Sequence, residues 1–313
     1  MYGYVARRLL ATLPVLAVVA VVVFGILHLG PGDPAALIAG DQATPQQTAE
    51  IRGKLGLDRP LYQQFAAWVA RLLRGDLGIS IFSNQPVTHL LAQRLEPTLS
   101  LTVATTIVMV LLAVPIGVIA AWRANTAVDH AVMTTAVLGF SLPVFVVAYL
   151  LIYALAMRLD LFPIQGYTPM RDGLARWAWH LVLPSLTLGF GFMALIARIT
   201  RASVLEVLNQ DYFRAARAKG LGPARLLIRH ALANAAVPIV TVIGVGVALL
   251  LGGVVVTESV FAIPGIGRLV VDAILTRDYP VIQGVLLLFS GVYVLLNLLI
   301  DLLYVALDPR IRY

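Results

Sequence analysis

The chain has 313 residues, of which 60% are hydrophobic and only 12% charged, with a mean hydropathy of +0.89. Soluble domains carry roughly twice that charge fraction, so the balance points to a bilayer. The absence of Cys excludes disulfides, thiolate metal sites and cysteine nucleophiles, and the net charge of +7 reads as membrane orientation rather than nucleic-acid binding.

A span needs about 20 mostly apolar residues. Six windows meet that length: Leu9–Leu29, Thr98–Trp122, Ala131–Met157, Leu181–Thr200, Ala235–Val256 and Val281–Leu303. Prolines 115, 143, 184 and 238 predict kinks. The first window follows Arg7-Arg8 and is too long for a cleaved signal core, so an uncleaved anchor with a cytoplasmic N-terminus is expected.

The segment 30–97 is predicted to fold as a small helical cap. Thr44-Pro-Gln-Gln47 has capping-box spacing, with a stop at Gly56. A second helix begins near Pro60 and spaces Leu61, Phe65, Trp68 and Leu72 for packing. Gly75-Asp-Leu-Gly78 breaks it, and a third short helix spans Val87–Leu95 before Pro97. Six crossings from an inside start place 30–97, 158–180 and 257–280 outside. Arg123, the 201–232 loop and the tail with Arg310 and Arg312 lie inside. In the 201–232 loop Arg201, Arg214, Arg217, Lys219, Arg225 and Arg229 face only Glu206 and Asp211. The expected divisions are an anchor at 1–30, a cap at 31–93, a membrane-spanning core at 94–304 and a tail at 305–313.

The 201–232 loop is the strongest functional candidate. A helix is predicted from Ser203 to Ala218, ended by Gly220, with a second beginning at Gly222-Pro223. Small Ala215, Ala216 and Gly220 sit among basic Arg214, Arg217 and Lys219, after bulky Tyr212 and Phe213. Composition alone favours a basic helix lying on anionic lipid. A small-residue floor with a basic rim also suits docking into a cleft on a soluble protein.

Spacing decides between the two. Tyr212, Arg214, Ala216, Ala218, Lys219, Gly220 and Leu221, followed by Arg229, His230, Ala231, Leu232, Asn234, Ala235 and Pro238, resemble the cytoplasmic signature of binding-protein-dependent ABC importer permeases, in the dipeptide/oligopeptide/nickel branch. The chain departs from the general signature in having Arg214 for its Glu and Ala233 for its Pro, as that branch does. Further matches are Pro31-Gly-Asp-Pro34, Leu55-Gly-Leu-Asp-Arg-Pro60, Gly75-Asp-Leu-Gly-Ile-Ser80, Glu258-Ser-Val-Phe261, Pro264-Gly-Ile-Gly-Arg-Leu269, Arg277-Asp-Tyr-Pro280 and Asp308-Pro-Arg-Ile-Arg312. The start, with Tyr4 and Arg7-Arg8, resembles the first of the two permease subunits.

The resemblance implies an all-α permease fold of six transmembrane helices in the bacterial plasma (inner) membrane, with both termini cytoplasmic. It implies a coupling helix carrying Tyr212, Arg214, Ala215, Ala216, Arg217, Lys219, Gly220 and Leu221. Ala216 and Gly220 would seat that helix in an ATPase cleft. A Gly220→Trp variant is expected to fold and to lose coupling. The implied partners are a homologous second permease, two ABC ATPase domains, an extracytoplasmic substrate-binding protein and membrane lipid, with no nucleic acid. Peptides are the first substrate choice; nickel, haem and glutathione stay open.

No phosphate loop of the Gly-x-x-x-x-Gly-Lys-Ser/Thr type occurs, so the chain is not expected to bind ATP itself; the resemblance implies a non-catalytic subunit that binds no cofactor, with ATP and Mg on the partner ATPases. Gly244, Gly246, Gly252 and Gly253 suggest close helix packing. The five histidines are scattered; His28 and His180 are weighed as nickel contacts, with a structural role favoured. Glu258 is read as structural or gating, Asp301 with Tyr304 as an interfacial anchor, and Arg198 as snorkelling. An autonomous secondary transporter would need paired repeats or midplane charges, and an intramembrane enzyme built on Ser141 or Ser185 would need a base. Neither requirement is visible.

Overall fold

The computed structural model describes residues 2–29, 35–36 and 44–307. The motifs at 31–34 and 308–312, Asp33, Asp41 and the tail bases Arg310 and Arg312 lie outside the described residues, as do the side chains of Tyr4, Arg7, Arg8, His28 and Tyr304. Among the described residues the regular elements are helical, and a single antiparallel bridge joins Ile79 to Pro86.

Helix α1 (Tyr2–Leu29) is followed by two short helices, α2 (Pro45–Leu55) and α3 (Leu61–Leu72). The expected capping box opens α2: the Gln47 amide donates to Thr44 Oγ1 at 3.3 Å, and the Thr44 amide donates to Gln47 Oε1 at 2.9 Å. Helix α3 sets Phe65 and Trp68 against Phe24 of α1, with ring centroids 5.2 and 5.7 Å apart, so its aromatic spacing serves packing.

Helix α4 (Val87–Trp122) corrects the sequence reading. The short helix at 87–95 and the span from Thr98 are one 36-residue helix that runs through Pro97 and Pro115. Pro97 deprives the Gln93 carbonyl of its donor, but Gln93 is exposed and water can replace it. At 1.5 Å per residue the helix is about 54 Å long, well beyond the ~30 Å hydrocarbon core.

The third expected span is broken. Helix α5 (Ala127–Ser141) and helix α6 (Val144–Leu151), which continues as a π-helical segment Ile152–Arg158, bend by 110° at the break. Pro143 has no N–H and forces Leu142 into extended backbone at φ −86°, ψ 130°. Helix α7 (Leu174–Leu208) instead passes Pro184 unbroken.

The helix predicted over Ser203–Ala218 is two elements. Its first half is the end of α7; the chain turns at Asn209 and Gln210, and α8 (Asp211–Ala218) starts afresh. A turn at Pro223–Arg225 runs into a π-helical segment, Leu226–Leu232. Then come α9 (Ala236–Val260), α10 (Ile266–Leu275) and α11 (Tyr279–Leu307). Pro238 lies in the first turn of α9, where its missing N–H has no intrahelical partner to lose. The sequence reading had not anticipated α10. Helices α4, α7, α9 and α11 are long and apolar enough to cross a membrane, and α5–α6 adds a fifth if the pair counts as one span.

The chain divides into two compact units, Met1–Arg94 with Leu269–Val294, and Leu95–Arg268 with Leu295–Tyr313. In the first, the Gln283 side-chain amide donates to the Val23 carbonyl at 3.0 Å. Asp278 also joins two of the quoted motifs there: it accepts from Ser80 Oγ at 2.5 Å and from the Ile81 amide at 3.2 Å. The second unit holds the main apolar core, with Leu101, Met109, Leu183, Leu188, Ile196 and Leu250 buried. Of the four α9 glycines, Gly244 and Gly253 meet neighbours closely: an added Cβ would come within 2.7 Å of Ile300 and 2.6 Å of Leu188. Gly246 has ordinary clearance and Gly252 faces open space.

Candidate functional site

The coupling candidate is built on α8 and the turn behind it. Asp211 in the first turn and Arg217 in the last complement the helix dipole. Lys219 donates its amide to the Ala215 carbonyl at 3.2 Å, and Gly220 donates to Arg217 at 3.1 Å. Gly220 closes the helix in the left-handed region at φ 77°, where a side chain is disfavoured. The Leu226 amide then bonds the Gly222 carbonyl at 3.1 Å and starts the following turn.

Only one face of α8 looks inward. Phe213 is 3% exposed and sits in an apolar cluster with Ala121, Val204, Val207, Leu226, Ala231 and Ile239; Ala216 and Leu221 pack against the same cluster. Half-buried Ala216 and Leu221 therefore pack the helix onto its own chain. Tyr212, Arg214, Ala215, Lys219 and Gly220 face outward. Arg217 is exposed too, with its guanidinium carbon 5.8 Å from the Trp122 ring centroid. Arg214 approaches Asp211 at 3.5 Å across an exposed pair, and partial burial pushes the Tyr212 phenol upward.

Phe213 was legible only as a bulky neighbour of the motif, yet it anchors the helix to residues of α4, α7 and α9. A Phe→Ala change at a buried site costs about 3–5 kcal/mol. Phe213→Ala is expected to loosen α8 selectively. Limited proteolysis should cut near 209–221 well before the apolar helices, whereas an unchanged cleavage pattern would contradict this anchoring.

Arg201 is one of the bases that the sequence sets against only Glu206 and Asp211. It is instead held by Asp129: Nε bonds Oδ1, and Nη2 bonds Oδ2 at 2.6 Å. The Asp129 carboxylate also accepts the Asn125 amide at 2.9 Å. The Asp129 side chain is 2% exposed and that of Arg201 22%. This pair went unnoticed in the sequence, although an acid near the start of an apolar helix is a signal in itself.

Glu258 is fully buried. Its carboxylate accepts the Thr98 hydroxyl at 2.6 Å and the Arg268 amide at 3.0 Å, while Thr98 Oγ1 accepts the Ile266 amide at 2.8 Å. Glycines 265 and 267 make room for it. A Cβ at Gly265 would overlap the carboxylate, and one at Gly267 would meet Val255 backbone at 2.7 Å. Phe261 and Ile263, between acid and glycines, are buried in the main core. Asp301 is half-buried on α11, away from the coupling residues in sequence, and Arg198 is exposed.

Nearby, Tyr167 donates to Glu96 Oε1 at 3.1 Å, and Trp177 Nε1 donates to Ser100 Oγ at 3.1 Å. Desolvation pushes the Tyr167 phenol upward. His180 Nδ1 lies 2.8 Å from the Arg176 carbonyl, and among the described residues no group of three or more His, Asp or Glu could hold a metal ion.

Two family models cover the sequence. Residues 1–102 match the N-terminal part of a binding-protein-dependent transport system membrane component, and residues 113–313 match the binding-protein-dependent transport system inner membrane component. The chain is 55% identical over 310 residues to a probable peptide ABC transporter permease protein of Sinorhizobium fredii, covering 99% of both chains. It is 45% identical over 314 residues, covering all of both chains, to the glutathione transport system permease protein GsiC of Escherichia coli and of Shigella dysenteriae. The exposed helix on a buried aromatic anchor and the apolar helices behind it are thus parts of a membrane permease, and the chain belongs to the family of binding-protein-dependent transport system inner membrane components as an ABC importer permease subunit.

Proposed function

We propose that this chain forms half of the translocation path of a peptide importer and that α8 couples it to a cytoplasmic ATPase. The supporting observation is the division of α8 into two faces. Phe213 and Ala216 grip the chain's own core while Tyr212, Arg214, Ala215 and Lys219 project outward. A rigid helix tied to three long helices can pass a displacement on to them, and coupling requires an element with two discrete arrangements. The partners in this reading are a homologous second permease, two ABC ATPase domains that bind ATP and Mg, and an extracytoplasmic binding protein. This chain itself holds no cofactor. The chain crosses the inner membrane six times with α1 and the α5–α6 pair each counted once, so both termini and α8 are cytoplasmic. Glu258 acts as a structural clamp, and Asp301 as an interfacial anchor.

The peptide assignment draws on the relative of highest identity quoted above. Its test is uptake into proteoliposomes by the complete transporter. Labelled dipeptides should accumulate with ATP and binding protein, and unlabelled dipeptide should compete better than glutathione. Preferential competition by glutathione would overturn the peptide assignment.

For the coupling helix Gly220→Trp is a poor probe, because a side chain at φ 77° strains the backbone whatever it touches. Ala215→Trp is cleaner, since Ala215 is exposed and helical. This variant is expected to insert and melt normally but to lose co-purification with the ATPase and at least about tenfold in uptake, the scale of ~1.4 kcal/mol. Normal uptake with a retained complex would rule out docking on this face.

A further inference from the structure

The π-helical segment Leu226–Leu232 lies between α8 and α9, and the buried residues change their spacing across it. Behind it Ala231, Ala235 and Ile239 recur at the spacing of an α-helix and are all buried in the cluster that receives Phe213. Ahead of Ala231 the next buried residue is Leu226, five positions back and 2% exposed. The wider π turn takes up that extra residue. Its cost falls on Ile228, which is 68% exposed although it belongs to the apolar run Leu226-Leu227-Ile228. The Asn234 side-chain amide donates to the His230 carbonyl at 2.6 Å, where the two spacings meet.

The same residues have a second way to wind. Counting back from Ala231 by α-helical steps reaches Ile228, Leu227 and Ala224, so a plain α-helix would also turn an apolar face inward. Arg229 and His230 stay off the buried face in both registers, and half-buried Leu227 borders it in both. Changing register carries Leu226 out from the Phe213 cluster and brings Ile228 in. For the chain ahead of Ala231 this is a turn of about 100° and an advance of about 1.5 Å. Gly220, at φ 77°, and Gly222, with open space around it, lie between the segment and α8 and can absorb the rotation. Packed interiors of this kind rearrange between discrete states, and π turns are found mostly where an element has work to do.

We propose that Leu226–Leu232 is a register switch that carries the ATPase stroke toward α9. The segment is π-helical in the chain alone and becomes α-helical when the ATPase pair closes, with Leu226 and Ile228 exchanging places in the Phe213 cluster. The proposal rests on the coupling reading of α8. The chain has no Cys, so a maleimide found on it reports one introduced position. Leu226→Cys and Ile228→Cys are labelled singly in the complete transporter in nanodiscs, without nucleotide and with ATP and vanadate. Without nucleotide Ile228→Cys should label fast and Leu226→Cys slowly. With the ATPases closed the two rates should move in opposite directions by about tenfold, as for an element shifted from mostly one state to mostly the other. Protection of Ile228→Cys with no gain at Leu226→Cys would mean that Ile228 is only covered by the ATPase, which would overturn the switch and leave the coupling helix standing. Unchanged rates at both positions in a complex that hydrolyses ATP would overturn it as well. If Leu226→Cys does not assemble, Ile228→Lys answers instead, because the charge is tolerated in the π register and excluded from the α register. That variant should still co-purify with the ATPase and lose uptake by about tenfold or more, whereas uptake within about twofold of wild type would sink the switch. A wild-type chain that binds no ATPase would overturn the coupling reading and the switch with it.

Discussion

Glu258→Ala is expected to destabilise the protein strongly, by about 1–3 kcal/mol for each of the two donors it leaves unpaired, the Thr98 hydroxyl and the Arg268 amide. The loss propagates because Thr98 in turn fixes the Ile266 amide. Gly265→Ala should cost a similar amount for the opposite reason: its methyl would occupy the space of the Glu258 carboxylate. Together the two changes remove the acid and fill part of the space it vacates. The double variant should therefore melt well above the temperature that summing the single losses predicts. Thermal unfolding of the four proteins in detergent measures this directly. Strict additivity would show that the carboxylate and the glycine do not share one contact, and the clamp would have to be abandoned.

That cluster also shows what the amino-acid pattern could and could not reveal. Glu258, Pro264, Gly265 and Gly267 were visible as a motif, and an acid at the end of an apolar run invited a structural or gating role. What could not be read was its partner. Thr98 lies 160 positions away in sequence and belongs to a helix that the reading started afresh at that residue. Local signals did well where local physics decides, as at Thr44, Gln47 and Gly56 around α2, or at Gly220 behind α8. They failed at prolines. Pro97 and Pro143 carry the same local signal, yet the first sits inside a 36-residue helix and the second ends one with a 110° bend. Proline states only that one hydrogen bond is missing. Tertiary packing decides whether the chain continues. The two faces of α8 were likewise hidden, because small Ala215 and Ala216 are chemically equivalent in sequence and only the position of Phe213 tells which one points inward.

The Asp129–Arg201 pair is where a second large effect is expected. Asp129 lies at the start of α5 and Arg201 in the last turns of α7, seven residues before Leu208 and ten before α8 begins. The guanidinium binds the carboxylate through two nitrogens, a geometry in which Arg cannot be replaced by a point charge. Arg201→Met would leave the buried Asp129 carboxyl without its guanidinium, keeping the Asn125 amide, and removing one member of such a pair typically costs about 3–5 kcal/mol. Arg201→Lys should recover only part of this, since an ammonium cannot span both oxygens. Taking two charges out of water is itself expensive, so replacing both should be far milder than replacing one. Asp129→Leu combined with Arg201→Met is therefore expected to restore much of the melting temperature lost by Arg201→Met. If α7 carries displacements from the coupling helix to the α5–α6 pair through this contact, the double variant should recover stability but not ATP-driven uptake. Recovery of both would make the pair a stabilising contact only, and recovery of neither would show that the buried charges are not what holds α5 to α7.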